Sequence, residues 1–306
     1  MQEVITHTIA QVSTVLLGKE PQIRLALACL LSRGHLLIED LPGMGKTTLS
    51  HALARVMGLS YTRIQFTSDL LPADILGVSV FDKNTGSFAF HPGPIFNQLI
   101  LADEINRTTP KSQSALLEAM EEQQVTIEGE TRPLPKPFFV IATQNPNNQG
   151  GTFALPESQL DRFLMRIELG YPDPAAEREL LKGEDRRDVL SRLQPTMTPA
   201  QLAEMQAQCQ HVKVSDALLD YIQRLVLFTR QAPEFAYGLS PRGALALLAT
   251  AKSWAFLEDR QHVVPEDVQA VLPSVVEHRL RETADFSGHG AGGLTQRLLS
   301  KVDIIG

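Results

Sequence analysis

The stretch Leu36–Ser50, LLIEDLPGMGKTTLS, constrains the fold more than any other part of the chain. The apolar run Leu36-Leu37-Ile38 ends in a glycine-containing loop, and Gly45-Lys46-Thr47 then opens a helical pattern. Strand, loop and helix in that order form the context of a phosphate-binding loop. Free backbone N–H groups of such a loop and of the helix start point at phosphate oxygens. Pro42, Gly43, Met44, Gly45 and Thr48 supply the cradle, Lys46 a point charge for the β and γ phosphates, and Thr47 a hydroxyl for Mg²⁺. The strict pattern G-x-x-x-x-G-K-[S/T] asks for glycine at position 40, where this chain has Asp40. Aspartate tolerates unusual backbone angles better than most residues. On these residues alone an ordinary turn before a helix is the competing reading, so the rest of the chain carries the decision.

Size and composition narrow the classes. A chain of 306 residues with 43% hydrophobic and 21% charged residues has room for two ordinary globular domains. Its net charge of −7 argues against broad nucleic-acid binding. No apolar run approaches the ~20 residues of a membrane-spanning helix. The start, MQEVITHTIAQ, lacks the basic and apolar regions of a signal peptide, so a cytoplasmic protein is expected. The only cysteines are Cys29 and Cys209; Cys29 lies in the apolar pattern IRLALACLL and reads as a buried, inert thiol. The eight histidines are scattered without metal-ligand spacing.

From residue 35 to about 169 strand and helix patterns alternate, which predicts a parallel sheet covered by helices. The strand candidates are His35–Glu39, Thr62–Phe66, Leu99–Ala102, Phe138–Thr143 and Phe163–Leu169. One helix spans Pro110–Glu122, with Thr109 as N-cap. Val78–His91 and Gln124–Lys136 break the alternation and read as inserted β-hairpins, turning at Asn84-Thr85-Gly86 and at Gly129. Beyond about residue 172 the pattern turns helical: Thr198 with Gln201 resembles a capping box, Ser215 starts a helix, Ser240-Pro241 starts another and Pro265 a further one. The division expected is an αβα core over 1–192 and an all-α domain over 193–306. Ser287–Gly293, SGHGAGG, follows a helix and reads as a flexible loop.

The second chemical signal is LILADE at Leu99–Glu104, an apolar strand ending in two carboxylates. Ligands bind at the carboxyl edge of open α/β sheets. There Asp103 can complete a Mg²⁺ shell and Glu104 can activate a water. A solvated turn at a strand end is the bland alternative. The position of the pair 57 residues after Lys46, with a helical pattern and a strand between, makes the two signals support each other.

GMGKTT, LILADEINR, FFVIATQNP and LPESQLDRF follow the order of the Walker A, Walker B, sensor 1 and arginine-finger segments of an AAA+ ATPase. RIQFTSDLLPADILG, GPIF, DEINRTTPKSQSALLEAMEE and YGLSPRGALALLATAKSWAF extend the likeness over essentially the whole chain, which resembles the MoxR branch. The resemblance implies a five-stranded parallel sheet between helices, a helix-2 insert, a hairpin before sensor 1 and a smaller all-α lid. It assigns sensor 1 to Asn145, the arginine finger to Arg162 and sensor 2 to Arg242. Arg162 would reach a neighbouring subunit's nucleotide, and Arg242 would reach from the lid to the phosphates. Arg107 stands either at a subunit interface or in a local ion pair with Glu104 or Asp103. Gly18, in Leu17-Gly18-Lys19, is expected near the adenine.

The reading that follows from the resemblance is a Mg²⁺-dependent ATPase, a homo-oligomer assembled as a hexameric ring. Such a ring would remodel or mature a protein client, one with a von Willebrand factor A domain, by metal or cofactor insertion or activation. The alternatives are a nucleic-acid motor or loader, disfavoured by the acidic balance, and a nucleotide-gated scaffold with little hydrolysis.

Overall fold

The computed structural model describes residues 1–84, 86–145, 151–283 and 293–304. Asn145 is therefore described and Pro146 is not. Thr85 of the first hairpin turn and most of the 287–293 glycine-rich segment lie outside the described residues.

Helices α1 (Gln2–Val15) and α2 (Glu20–Leu31) precede β1 (Leu36–Glu39). They are followed by α3 (Lys46–Val56), β2 (Tyr61–Gln65), α4 (Pro72–Leu76), and the hairpin β3 (Gly77–Asp82) and β4 (Ser87–Pro92). Next come β5 (Leu99–Asp103), α5 (Pro110–Glu122), a second hairpin of β6 (Gln124–Ile127) and β7 (Glu130–Pro133), and β8 (Phe139–Gln144). Then α6 (Glu157–Leu160), β9 (Met165–Ile167), α7 (Pro174–Lys182) and α8 (Arg186–Arg192) complete the α/β part. The remaining elements are α9 (Pro199–Gln210), α10 (Asp216–Gln231), β10 (Phe235–Tyr237), α11 (Pro241–Leu257), α12 (Pro265–Val276), β11 (Arg281–Glu282) and α13 (Leu294–Lys301).

The central sheet is parallel, with strand order β2-β5-β8-β1-β9. Its inner strands β1, β5 and β8 are apolar on both sides because both sides are covered, whereas the edge strand β2 is only partly buried. Successive side chains point to opposite faces, and the burial follows that alternation. Leu36, Ile38, Leu99, Leu101, Phe139 and Ile141 enter one apolar cluster. Leu37, Ile100, Ala102, Val140 and Ala142 enter the other, with Leu116 and Met120 of α5. The first cluster continues without a break into α9, α11 and α12, so the lid packs on α2 through a shared core.

The helix starts follow their caps. The Thr198 hydroxyl accepts from Gln201 N–H at 3.2 Å while Thr198 N–H donates to Gln201 Oε1 at 2.8 Å. Ser215 and Ser240 accept from Leu218 and Gly243 N–H. Thr109 differs: it precedes α5 in extended conformation without a side-chain cap bond, and Pro110 at the first position sets the entry. The strand after Phe163 is shorter than expected, Met165–Ile167, because Phe163 and its neighbours close a turn from α6. A short antiparallel pair, β10 with β11, accompanies the lid helices.

Candidate functional site

The loop between β1 and α3 lies at the carboxyl edge of the central strands. Gly43 and Gly45 hold it with φ of 82° and 94°, values that side chains with a Cβ rarely adopt. Space around Gly43 is open, whereas a Cβ on Gly45 would stand 2.8 Å from Leu16 Cδ1. Gly45 stands at the N-cap of α3 without a side-chain cap bond, and the first-turn N–H groups of a helix have no partner within it. Pro42, Gly43, Gly45, Lys46, Thr47 and Thr48 line a cleft of about 340 Å³ together with Asp103, Glu104, Asn145 and Arg63. Sequence reasoning named each of these except Arg63. Met44 packs against the core cluster instead, and Gly18 (φ 69°) lies beside Asp173 and Ala176 of the α7 start.

Asp40 is not a cradle residue. Its Oδ2 accepts from Leu169 and Gly170 N–H at 2.7 Å each, and its Oδ1 from Leu41 N–H at 2.7 Å. The carboxylate fastens the end of β1 to the turn after β9, while its backbone carbonyl accepts from Lys46 Nζ at 2.5 Å. Lys46 also donates to Asn145 Oδ1 at 3.1 Å. Burial pulls the Lys46 ammonium below its ordinary pKa, opposed by the nearby charges of Asp40, Asp103 and Glu104.

The two carboxylates are individually oriented. Thr143, fully buried on β8, donates its hydroxyl to Asp103 Oδ1 at 2.6 Å and accepts from Glu104 N–H at 2.8 Å. Glu104 adopts a left-handed backbone conformation (φ 57°, ψ 51°), uncommon for glutamate and concentrated at functional sites. Asn145 Nδ2 and Gln65 Nε2 each donate to Glu104 at 3.3 Å, and Arg107 Nε pairs with it at 2.9 Å. Within the chain Arg107 makes the local ion pair with Glu104. Arg63, Gln65 and Thr143 were not singled out from the sequence. Their signal is positional: β2 and β8 flank β5, so their ends meet the carboxylates, and that becomes readable only once strand order is known.

Thr47 and Asp103 in one cleft suit a hard divalent cation, which takes a hydroxyl and a carboxylate and keeps waters for its remaining positions. The open space at Gly43 and the uncapped start of α3 suit phosphate oxygens.

Arg162 and Arg242 lie elsewhere. Glu121, near the end of α5, binds both: Arg162 Nη1 at 2.8 Å and Arg242 Nη2 at 2.5 Å, with Asp161 3.9 Å from Arg242. The Arg242 hydrogen bond, with Arg162 assisting, outweighs desolvation and holds the Glu121 carboxyl below its ordinary range. The carbonyl of the preceding residue, Met120, bonds to His35 Nε2 at 3.3 Å, and His35 stands just before β1. Both arginines therefore sit at the amino edge of the sheet, whereas Lys46 sits at its carboxyl edge. Arg242 thus takes a different place from the one expected of it: beside Arg162, not over the phosphate loop of its own chain. Arg279, almost fully buried, ties this region to the lid through Asp161 Oδ1 at 2.7 Å and Phe163 O at 2.7 Å.

Among the described residues no helix is long and apolar enough to cross a membrane. Residues 35–165 match the family described as "ATPase family associated with various cellular activities (AAA)", and residues 227–298 match the AAA lid domain. The chain is 42% identical over 99% of its length to the uncharacterised protein YeaC of Bacillus subtilis, covering 96% of it. It is 40% identical over 92% of its length to Chaperone MoxR1 of Mycobacterium tuberculosis, covering 76% of that protein. A crystal structure of a candidate ATPase from Cytophaga hutchinsonii superposes with a TM-score of 0.90 at 37% identity, covering 99% of this chain and 95% of that one. With a phosphate loop, an oriented carboxylate pair and a lid on one continuous core, the chain belongs to the MoxR family of AAA+ ATPases.

Proposed function

We propose that the chain binds and hydrolyses ATP with Mg²⁺ as a hexameric ring, and that the cycle remodels or matures a protein partner. The observation that carries the ring is the separation of functional groups: the phosphate loop is at one edge of the sheet, and Arg162 and Arg242 are at the other. Two cations that cannot reach their own cleft can enter a neighbour's if subunits stack edge to edge. Arg162 then meets developing charge on the γ-phosphate, the role of an arginine finger. Arg242 beside it enters the same neighbouring site.

Within the cleft, Lys46 and the α3 N–H groups bind phosphate oxygens, and Thr47 and Asp103 hold the cation. A Mg²⁺ ion held by Thr47 and Asp103 would supply positive charge against the phosphates. Glu104 takes a proton from the attacking water, and Asn145, donating to Glu104 and accepting from Lys46, spans the base and the phosphate cation. Asp40 holds the loop to the sheet edge and has no chemical step.

The protein-partner part rests on kinship, including a relative named as a chaperone, and on the acidic balance that disfavours a nucleic-acid role. A client with a von Willebrand factor A domain is the specific expectation. Glu104→Gln tests both halves. With ATP present it should retain nucleotide, lose about 10²–10³-fold in turnover, and co-purify a protein client. Turnover close to wild type would point to a nucleotide-gated scaffold, and recovery of nucleic acid alone would sink the client reading.

A further inference from the structure

Arg63 is a cation inside the nucleotide cleft that none of the assigned roles uses. It stands on β2, the edge strand, in register with Leu101. Its guanidinium forks onto one oxygen of the metal carboxylate: Nε and Nη2 reach Asp103 Oδ2 at 3.0 and 2.6 Å. The other oxygen, Oδ1, accepts the Thr143 hydroxyl at 2.6 Å. A carboxylate oxygen offers about two lone-pair directions. Both on Oδ2 are directed to Arg63, so this oxygen already carries a full complement of donors. The two partners differ in freedom. The Asp103 side chain is 10% exposed, fixed by Thr143, and that of Arg63 is 48% exposed on a long stem. Arg63 Nη2 has a second acceptor, Gln65 Oε1, at 2.7 Å, to which it can stay tethered when it leaves Asp103.

We propose that Arg63 is a resident countercation of Asp103 that a divalent cation has to displace, so that Arg63 sets how much Mg²⁺ the site requires. The inference rests on the phosphate-loop and metal roles assigned above. A guanidinium and a divalent ion compete for the same oxygen, and each repels the other. Arg63 is a positioning residue: it keeps a buried carboxylate hydrogen-bonded, and it raises the concentration at which metal takes over.

The test titrates Mg²⁺ into the full chain with a fluorescent ATP analogue and reads the Mg²⁺ midpoint of nucleotide binding, a measurement independent of turnover. Arg63→Ala should lower that midpoint on the order of tenfold, since a neighbouring like charge is removed. Arg63→Lys keeps the charge but loses the fork, and should lower it by a smaller factor. The lysine variant carries the test alone if the alanine variant does not fold. A midpoint unchanged or raised in both variants would overturn the proposal, because Arg63 would then be a structural partner or a support for the metal. Wild-type binding insensitive to Mg²⁺ would overturn it as well. A wild-type chain that binds no nucleotide at all would instead bring down the phosphate-loop reading itself.

Discussion

Glu104 illustrates how one residue can be committed to chemistry by its backbone. Its left-handed φ costs roughly 1–3 kcal/mol relative to an ordinary conformation, and Thr143, Asn145, Gln65 and Arg107 all hold it there. Asp103, one residue earlier, keeps regular strand geometry and shares only the Thr143 hydroxyl. Lys46 is committed in another way, by partial burial among oxygen atoms that it can exchange for phosphate. Lys46→Ala should abolish nucleotide binding measured by calorimetry, since the loop would keep its N–H groups but lose its point charge. Intact binding would mean the loop is misread. The residues legible in the sequence were those whose chemistry is written locally, as in GMGKTT and LADE. Arg63 and Gln65 were not, because nothing in RIQF indicates that the strand lies beside β5.

At the scale of elements, the departure from the strict phosphate-loop pattern has a structural answer. Asp40 joins β1 to the turn after β9 through the N–H groups of Leu169 and Gly170. Asp40→Gly would complete the strict pattern, yet it should destabilise the protein by about 3 kcal/mol in urea unfolding, because three hydrogen bonds to a buried carboxylate are lost. A neutral or stabilising effect would show that the carboxylate is dispensable. His35 makes the corresponding joint at the amino edge. Val140 N–H donates to its Nδ1 at 3.0 Å, and its Nε2 bonds to Met120 O at 3.3 Å, an arrangement that requires the neutral ring. Burial pushes its pKa from 6.5 down to about 4, so the stability it contributes is present above pH 6.5 and lost as the pH falls toward 4. Unfolding free energy should fall by about 2 kcal/mol between pH 7.5 and pH 5, and His35→Gln should flatten that difference. The strands themselves could be placed from apolar runs, and both hairpins from their turns. The ends were less legible: Thr109 lacks the cap bond its residue type suggests, and the strand after Phe163 starts late because a turn continues from α6 through Phe163.

At the scale of the molecule, the lid shares the core of the α/β part, and the buried Arg279 pins it close to Asp161. Arg242 and Arg162 therefore share one surface, joined through Glu121. The motifs named both arginines, but only the fold shows that they lie at the sheet edge opposite Lys46. The central claim, a nucleotide site divided between subunits, is tested most directly by mixing two inactive variants. Lys46→Ala keeps the arginines and lacks the phosphate cation; Arg162→Ala keeps the phosphate cation and lacks the finger. Each alone should hydrolyse ATP at least about 10²-fold more slowly than wild type. Mixed in equal amounts, they should regain a measurable share of wild-type turnover, because some interfaces then pair an intact loop with an intact Arg162. A mixture no more active than its components, under conditions where the variants co-assemble, would contradict the account.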